Sequence, residues 1–192
     1  MSCKTKSPVQ WGYKKMSRRT FTKNKYALLA LLLFSVVVVF FAGSRPTKTN
    51  LAAREVASAV RAIHGAFADK ASYWGLCNNF LKSNNILTNY RYKDNQLVNI
   101  LGKPVLIGSG ETAEVAMPGD KSFDVVYTDL SAKECIKLSA YQFEQPETLG
   151  LLQITIVGRE RKVFDWSSRL PVEQHEAKKF CSDKSKVIWT FE

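Results

Sequence analysis

Residues 26–42 read YALLALLLFSVVVVFFA, a run without one charged side chain in which the Tyr26 ring and Ser35 carry the only polar groups. A bilayer core of ~30 Å is crossed by about 17 to 25 helical residues, so this run is a short spanning helix whose flanking side chains snorkel to the interfaces. Everything else in the chain is arranged around it. The reading divides the chain into a leader (1–25), a transmembrane helix (26–42) and a globular domain (43–192), which has the size of one ordinary core.

Charge placement sets the direction of the span. The leader carries Lys4, Lys6, Lys14, Lys15, Arg18, Arg19, Lys23 and Lys25 and no acidic residue. Lys and Arg within about 15 to 20 residues of a membrane helix stay cytoplasmic, which places the leader inside and residues 43–192 outside a bacterial-type inner membrane. A cleaved secretory signal is the competing reading, because Ala42, Gly43 and Ser44 offer the small residues a signal peptidase accepts. The long basic leader and the helical pattern that resumes after it stand against cleavage there.

The net charge of +11 raises the question of nucleic acid. Without the eight leader cations, Arg45 and Lys48, 18 basic residues face 17 acidic ones. The domain is nearly neutral and has no footprint for a phosphate backbone, so a nucleic-acid partner is not expected.

Past the span, Leu51, Ala52, Val56, Ala59, Val60, Ile63 and Phe67 recur at three- and four-residue steps, one face of a helix that Asn50 can cap. Gly43 and Pro46 break or kink the path between span and helix. From Lys70 to Leu101 the chain is polar and rich in Asn, a long connection with one short helix near Cys77 to Lys82. Strands are expected at Pro104–Ile107, Ser122–Thr128, Leu151–Val157, Lys162–Trp166 and Lys186–Phe191, the third and fourth joined as a hairpin through Gly158 to Arg161. Ser131 with Glu134 has capping-box spacing and opens a helix to Tyr141. A second helix is expected over Leu170–Cys181, with Pro171 in its first turn. The class is α+β: a long N-terminal helix and a mostly antiparallel sheet.

Cys3 belongs to the leader, and Cys77, Cys135 and Cys181 to the exported domain, where oxidation is available. Three thiols cannot all pair within one chain, and spacing leaves the pair open, as it leaves open three free thiols. Catalysis has little support. The two histidines, His64 and His175, lack a zinc-helix partner, and nothing in the pattern brings either to Cys77. His64 reads as a satisfied helix residue and His175 as solvent-facing. Asp120 with Asp124, and Glu173 with Glu176, read as solvated charge pairs, and Gly108-Ser109-Gly110 as a turn. Trp74, Trp166 and Trp189 read as core or groove aromatics, one of which can face a partner. No catalytic residue, metal or cofactor is expected.

Four stretches in order, AREVASAVRAIHGAFADKASYWGL (53–76), LVNILGKPVLIG (97–108), SFDVVYTDLSAKECIKLSA (122–140) and AKKFCSDKSKVIWTFE (177–192), resemble the landmarks of type IVb pilins, the family of bundle-forming and toxin-coregulated pilus subunits. The resemblance implies a roll in which a long N-terminal helix packs on an antiparallel sheet. It implies a disulfide between Cys135 and Cys181, with Cys77 the extra thiol. It implies a structural or minor subunit of a type IVb pilus, a fimbrial assembly tied to cell adhesion, with other pilin subunits or pilus assembly proteins as partners. The alternative is a membrane-tethered periplasmic accessory or binding protein that keeps the roll and enters no filament. The processing region departs from the family: Phe21 suits the start of a mature chain, but Thr20 stands where Gly is usual and Lys25 where Glu is usual. A cation at that place implies a retained leader and a position at the tip or base of an assembly.

Overall fold

A computed structural model of the chain describes residues 46–109, 121–167 and 170–192. Among these residues no helix is long and apolar enough to cross a membrane, and the run at 26–42 lies outside them, as do Thr20, Phe21 and Lys25.

Helix α1 (Lys48–Phe67) buries Ala52, Ala53, Val56, Ala59, Val60, Ile63 and Phe67. The cap is Thr47 and not Asn50: the Thr47 hydroxyl accepts the Asn50 amide at 3.3 Å, so Asn50 lies inside the first turn. Helix α2 (Asn78–Ser83) is the short helix expected near Cys77 to Lys82, shifted by one residue, with Cys77 as its N-cap. The connection after it is not wholly loop. Strands β1 (Arg91–Lys93) and β2 (Gln96–Val98) form a small antiparallel hairpin. Its two turn residues, Asp94 and Asn95, adopt φ of 49° and 62°, the left-handed pair a type I′ turn requires.

The main sheet contains β3 (Val105–Ser109), β4 (Phe123–Leu130), β5 (Leu151–Val157), β6 (Arg161–Asp165) and β7 (Ser185–Phe191). Its order is β3-β4-β7-β5-β6, and every pairing is antiparallel. The last strand in the chain is therefore the central one, inserted between β4 and β5. Between those two comes α3 (Ala132–Ser139), opened by a complete Ser131–Glu134 capping box. Helix α4 (Gln174–Phe180) starts three residues later than Pro171, with Glu173 as N-cap. Pro171 belongs to the preceding loop and not to the first turn; it follows a cis peptide bond.

Alternation decides which residues meet α1. Phe123, Val125 and Tyr127 from β4, Val187, Trp189 and Phe191 from β7, and Ile154 and Ile156 from β5 join its apolar face in one core. Tyr127 and Trp189 pack edge to face at 5.2 Å, and Phe123 stacks with Phe191 at 5.7 Å. Val126, Ile188, Thr155 and Thr190, on the opposite side of the same strands, are also buried.

Candidate subunit-contact site

Cys135 on α3 and Cys181 at the end of α4 form a disulfide with 5.8 Å between their Cα atoms and a sequence separation of 46. Both are buried. The bridge ties the helix that follows β4 to Cys181, four residues before β7 begins at Ser185, and so holds the approach to the central strand. Two further contacts hold this corner. The amide of Ala132 donates to Asp183 Oδ1 at 3.0 Å, and the amide of Arg159 donates to the Phe180 carbonyl at 2.8 Å. Gly158 makes the second approach possible, because a Cβ there would run into the Phe180 carbonyl and the Ser185 hydroxyl. Among the described residues Cys77 is the free thiol, partly buried at the start of α2.

Residues that follow α3, among them Tyr141 and Pro146, and Trp166, Leu170 and Pro171 ahead of α4 frame an open groove of about 280 Å³. Tyr141, Pro146, Trp166, Leu170 and Pro171 supply apolar wall, and Glu147 stands on its rim. The Trp166 indole is 48% exposed but fixed, since its Nε1 donates to the Leu151 carbonyl at 2.7 Å. A second opening of about 510 Å³ shares Gln142, Leu170 and Pro171 with it and adds Glu173 and Glu176.

The end of α1 offers a shape of the opposite kind. Tyr73 to Leu76 is a β-turn: the Leu76 amide donates to the Tyr73 carbonyl at 3.0 Å, and Gly75 at its third position has φ 79°, as a type II turn demands. Tyr73 packs inward on Phe123 at 4.7 Å and Phe67 at 5.5 Å, and Leu76 is buried. Ser109 donates from its hydroxyl to the Tyr73 carbonyl and from its amide to the Leu76 carbonyl, stapling both sides of the turn to β3. Trp74 is left at the tip, 72% exposed.

The three tryptophans among the described residues thus divide. Trp189 is core and Trp166 a groove wall, but Trp74 belongs to neither, because its neighbours fill the space beneath it. Asp124 is not a surface charge as expected: it is 1% exposed and accepts from the Thr190 hydroxyl at 2.7 Å, because its β4 position faces the buried side of the central strands. Gly108-Ser109 is no turn either. Both residues are the end of β3. Glu173 and Glu176 lie on either side of the exposed His175, with Nδ1 at 2.9 Å from the first and Nε2 at 3.1 Å from the second. His64 sits against Tyr73 and Phe123, and burial lowers its pKa. The turn at Trp74 had a sequence signal, an aromatic pair followed by Gly75; the role of Ser109 had none.

Comparison with known proteins agrees with this geometry. No curated protein matches the chain in sequence. Among solved structures, the type IV pilin TcpA from Vibrio cholerae El Tor biotype is similar at 12% identity and a TM-score of 0.52, covering 76% of this chain and 99% of that one. The type IV b pilin from Salmonella typhi matches at 9% identity and a TM-score of 0.49, over 72% and 96% of the two chains. The fold is that of a type IV pilin. The Bundlin family model matches residues 42–191, so the chain belongs to the Bundlin family of type IVb pilins.

Proposed function

We propose that this chain is a structural subunit of a type IVb pilus or a closely related assembly. Residues 26–42 hold it in the inner membrane before assembly, and residues 43–192 project outside the cytoplasm. The observation that carries the reading is the family match over residues 42–191, which takes in α1, the whole sheet and both bridged cysteines. Its partners are other pilin subunits and the proteins that assemble them, and its chemistry is packing rather than catalysis. The same match disfavours a tethered accessory protein that enters no filament.

Shearing cells and separating filaments from membranes tests this. Recovery of the chain in the filament fraction supports the structural subunit; recovery only with the inner membrane supports the tethered alternative. Lys25 favours one variation, a minor subunit at the tip or base, which predicts a few copies per filament instead of many.

A further inference from the structure

The charges of the domain are nearly balanced in total but not in place, and we propose that the end of the domain where α1 begins is a seat for a bilayer surface of anionic phospholipid. This rests on the reading above that residues 26–42 anchor the chain, and not on filament entry. The strands define that end. Early α1 meets late β4 through Ala52 and Tyr127, and late α1 meets early β4 through His64 and Phe123, so Lys48 and Leu130 mark the same end of the molecule. Strands β4 and β5 both run antiparallel to β7, where Leu130 pairs with Ser185 and Val157 with Lys186. The β5–β6 turn, the approach to β7, the start of α3 and the turn from β2 to β3 therefore all fall at this end, and each consists of described residues.

Cations gather there. Arg159 lies in the β5–β6 turn, Arg161 and Lys162 open β6, and Lys184 and Lys186 flank the first residue of β7. Lys178 stands in the last turn of α4, which the bond from the Arg159 amide to the Phe180 carbonyl, at 2.8 Å, holds against the β5–β6 turn. Lys48, Lys103 and Lys133 lie at the start of α1, ahead of β3 and at the start of α3. The carboxylates at this end are Asp129, Glu134, Glu160 and Asp183. Cations outnumber them by more than two to one even with Lys179, matched by Glu176 at 2.7 Å, and Arg91, which faces Glu55, set aside. Two of the four are engaged within the fold: Glu134 closes the capping box, and Asp183 accepts the Ala132 amide. A positive surface of this kind attracts phosphate headgroups within a Debye length, about 10 Å at about 0.1 M salt.

Two observations assign the patch to a membrane rather than to another polyanion. The first is the length of the tether. Residues 43–47 are all that separate the apolar run from α1, and five residues fully extended reach about 18 Å, so the start of α1 stays within that distance of the bilayer while the chain is anchored. The second is an apolar tip beside the cations. Val98 pairs with Pro104, and the Asn99 side chain accepts the amides of Leu101 and Lys103 at 2.9 and 3.0 Å, fixing a turn that carries Ile100, 46% exposed. An aliphatic side chain next to lysine suits the boundary between headgroups and acyl chains, and gains nothing against a nucleic-acid backbone. One apolar anchor and one basic patch are each weak, and together they hold a protein surface to a membrane.

The test uses the full-length chain with Cys3→Ser and Cys77→Ser, reconstituted into bilayers of phosphatidylcholine alone or with about 30% phosphatidylglycerol. A fluorophore placed through Ile100→Cys is read against nitroxide-labelled headgroups, with Trp74→Cys as the label at the far end and the Cys135–Cys181 bridge kept oxidised. In the anionic bilayer the Ile100→Cys label should be quenched about threefold more than the Trp74→Cys label, and raising salt from about 0.1 to about 0.5 M should remove most of the difference. Combining Arg159→Gln, Arg161→Gln and Lys184→Gln should do the same at low salt. Equal quenching of the two labels overturns the proposal. So does a difference that persists unchanged in phosphatidylcholine, at high salt and in the triple variant, because the cations then contribute nothing. Release of the Ile100→Cys label from the anionic bilayer by an added DNA duplex, with binding of that duplex in phosphatidylcholine, would assign the patch to nucleic acid and overturns it too. A chain that fails to enter the bilayers ends both this inference and the anchored reading. A chain quenched as expected yet absent from sheared filaments leaves the inference standing and ends only the subunit reading.

Discussion

The phenol of Tyr127 donates to the carbonyl of Ala52 at 3.0 Å, tying the middle of β4 to the first turns of α1. With its one proton committed there, Tyr127 accepts from Tyr90, whose oxygen is 2.9 Å away. The asymmetry predicts unequal losses. Tyr127→Phe strands the Tyr90 hydroxyl in the core and removes the second donor to the Ala52 carbonyl, which keeps its place in the helix ladder, and should cost about 1 to 3 kcal/mol; Tyr90→Phe removes only a donor and should cost about 0.5 to 1.5 kcal/mol. Urea unfolding of the two variants checks the order. Equal losses would mean that the proton on Tyr127 is not directed as described.

Two glutamates should respond to pH in opposite senses. Burial pushes the Glu134 carboxyl up, but the Ser131 hydroxyl and amide more than offset it, and its pKa is lowered. A depressed carboxyl contributes stability that is present above its unfolded value near 4.5 and lost as pH falls through its folded value. Glu55 is raised, chiefly by burial, although it accepts the Ile100 amide at 2.9 Å. Its contribution is present below 4.5 and lost as pH rises through the folded value. Glu134→Gln should therefore flatten the acid limb of a stability profile, and Glu55→Gln should remove the small penalty at neutral pH. Stability measured between pH 3 and 7 for both variants decides, and like-signed changes would contradict the assignment.

The legible parts of this fold were those where one local rule acted alone. The period of α1, the Ser131–Glu134 box and the β5–β6 hairpin each declare themselves within a dozen residues. The β1–β2 hairpin has no legible pattern because its strands are three residues each, with Tyr92, Leu97 and Val98 as their apolar side chains, and the Asp94-Asn95 turn is a weak signal without glycine. Asp124 was misplaced because a carboxylate in a strand is read as solvent-facing until the strand is known to be buried on both faces. The central position of β7 is a long-range property, and so is the meeting of Ser109 with the Trp74 turn. Neither has a local signature. The bridge between Cys135 and Cys181 came from family resemblance, since spacing alone admits other pairs.

The bridge should matter in proportion to the loop it closes. For 46 residues the chain-entropy model gives about 4 kcal/mol, so Cys135→Ser or Cys181→Ser should lower stability by roughly that amount and expose a new thiol to labelling. Cys77→Ser should change little, since that thiol is neither bridged nor fully buried. Peptide mapping of the oxidised chain that joined Cys77 to Cys181 would contradict the pairing.

Gly158 gives a prediction of similar size with no covalent change. Its backbone lies against the Phe180 carbonyl and the Ser185 hydroxyl, and Ser185 in turn donates to the Ser182 carbonyl at 2.7 Å and accepts the Ser182 amide at 2.8 Å. A methyl group there must push the β5–β6 turn away from the bridged corner. Gly158→Ala should cost about 1 to 3 kcal/mol, the usual range for overpacking a tight site. Thermal unfolding measures it, and a neutral result would show that the corner yields without loss.

The leader poses the remaining question, and its answer turns on a single charge. In a pilus the N-terminal helices crowd into an apolar core, where an unpaired charge costs several kcal/mol and a carboxylate is tolerated because a neighbour's terminal amine meets it. Lys25, the residue that the family resemblance sets at that place, would put cation against cation there. Two outcomes follow. Alkaline phosphatase fused after Glu192 should be active, since the basic leader keeps the N-terminus inside whether or not the chain enters a filament. Lys25→Glu should raise the share of chain recovered in the sheared fraction, because the substitution replaces repulsion with attraction at the crowded helix starts. Mass measurement of the native protein reports processing in the same preparation: loss of about 20 residues ending near Thr20 marks pilin-type cleavage, loss of about 44 marks a conventional signal peptide, and the intact mass marks a retained leader. A Lys25→Glu chain that left its filament share unchanged would mean that this residue never enters the helical core, and the minor position at a tip or base would then account for it.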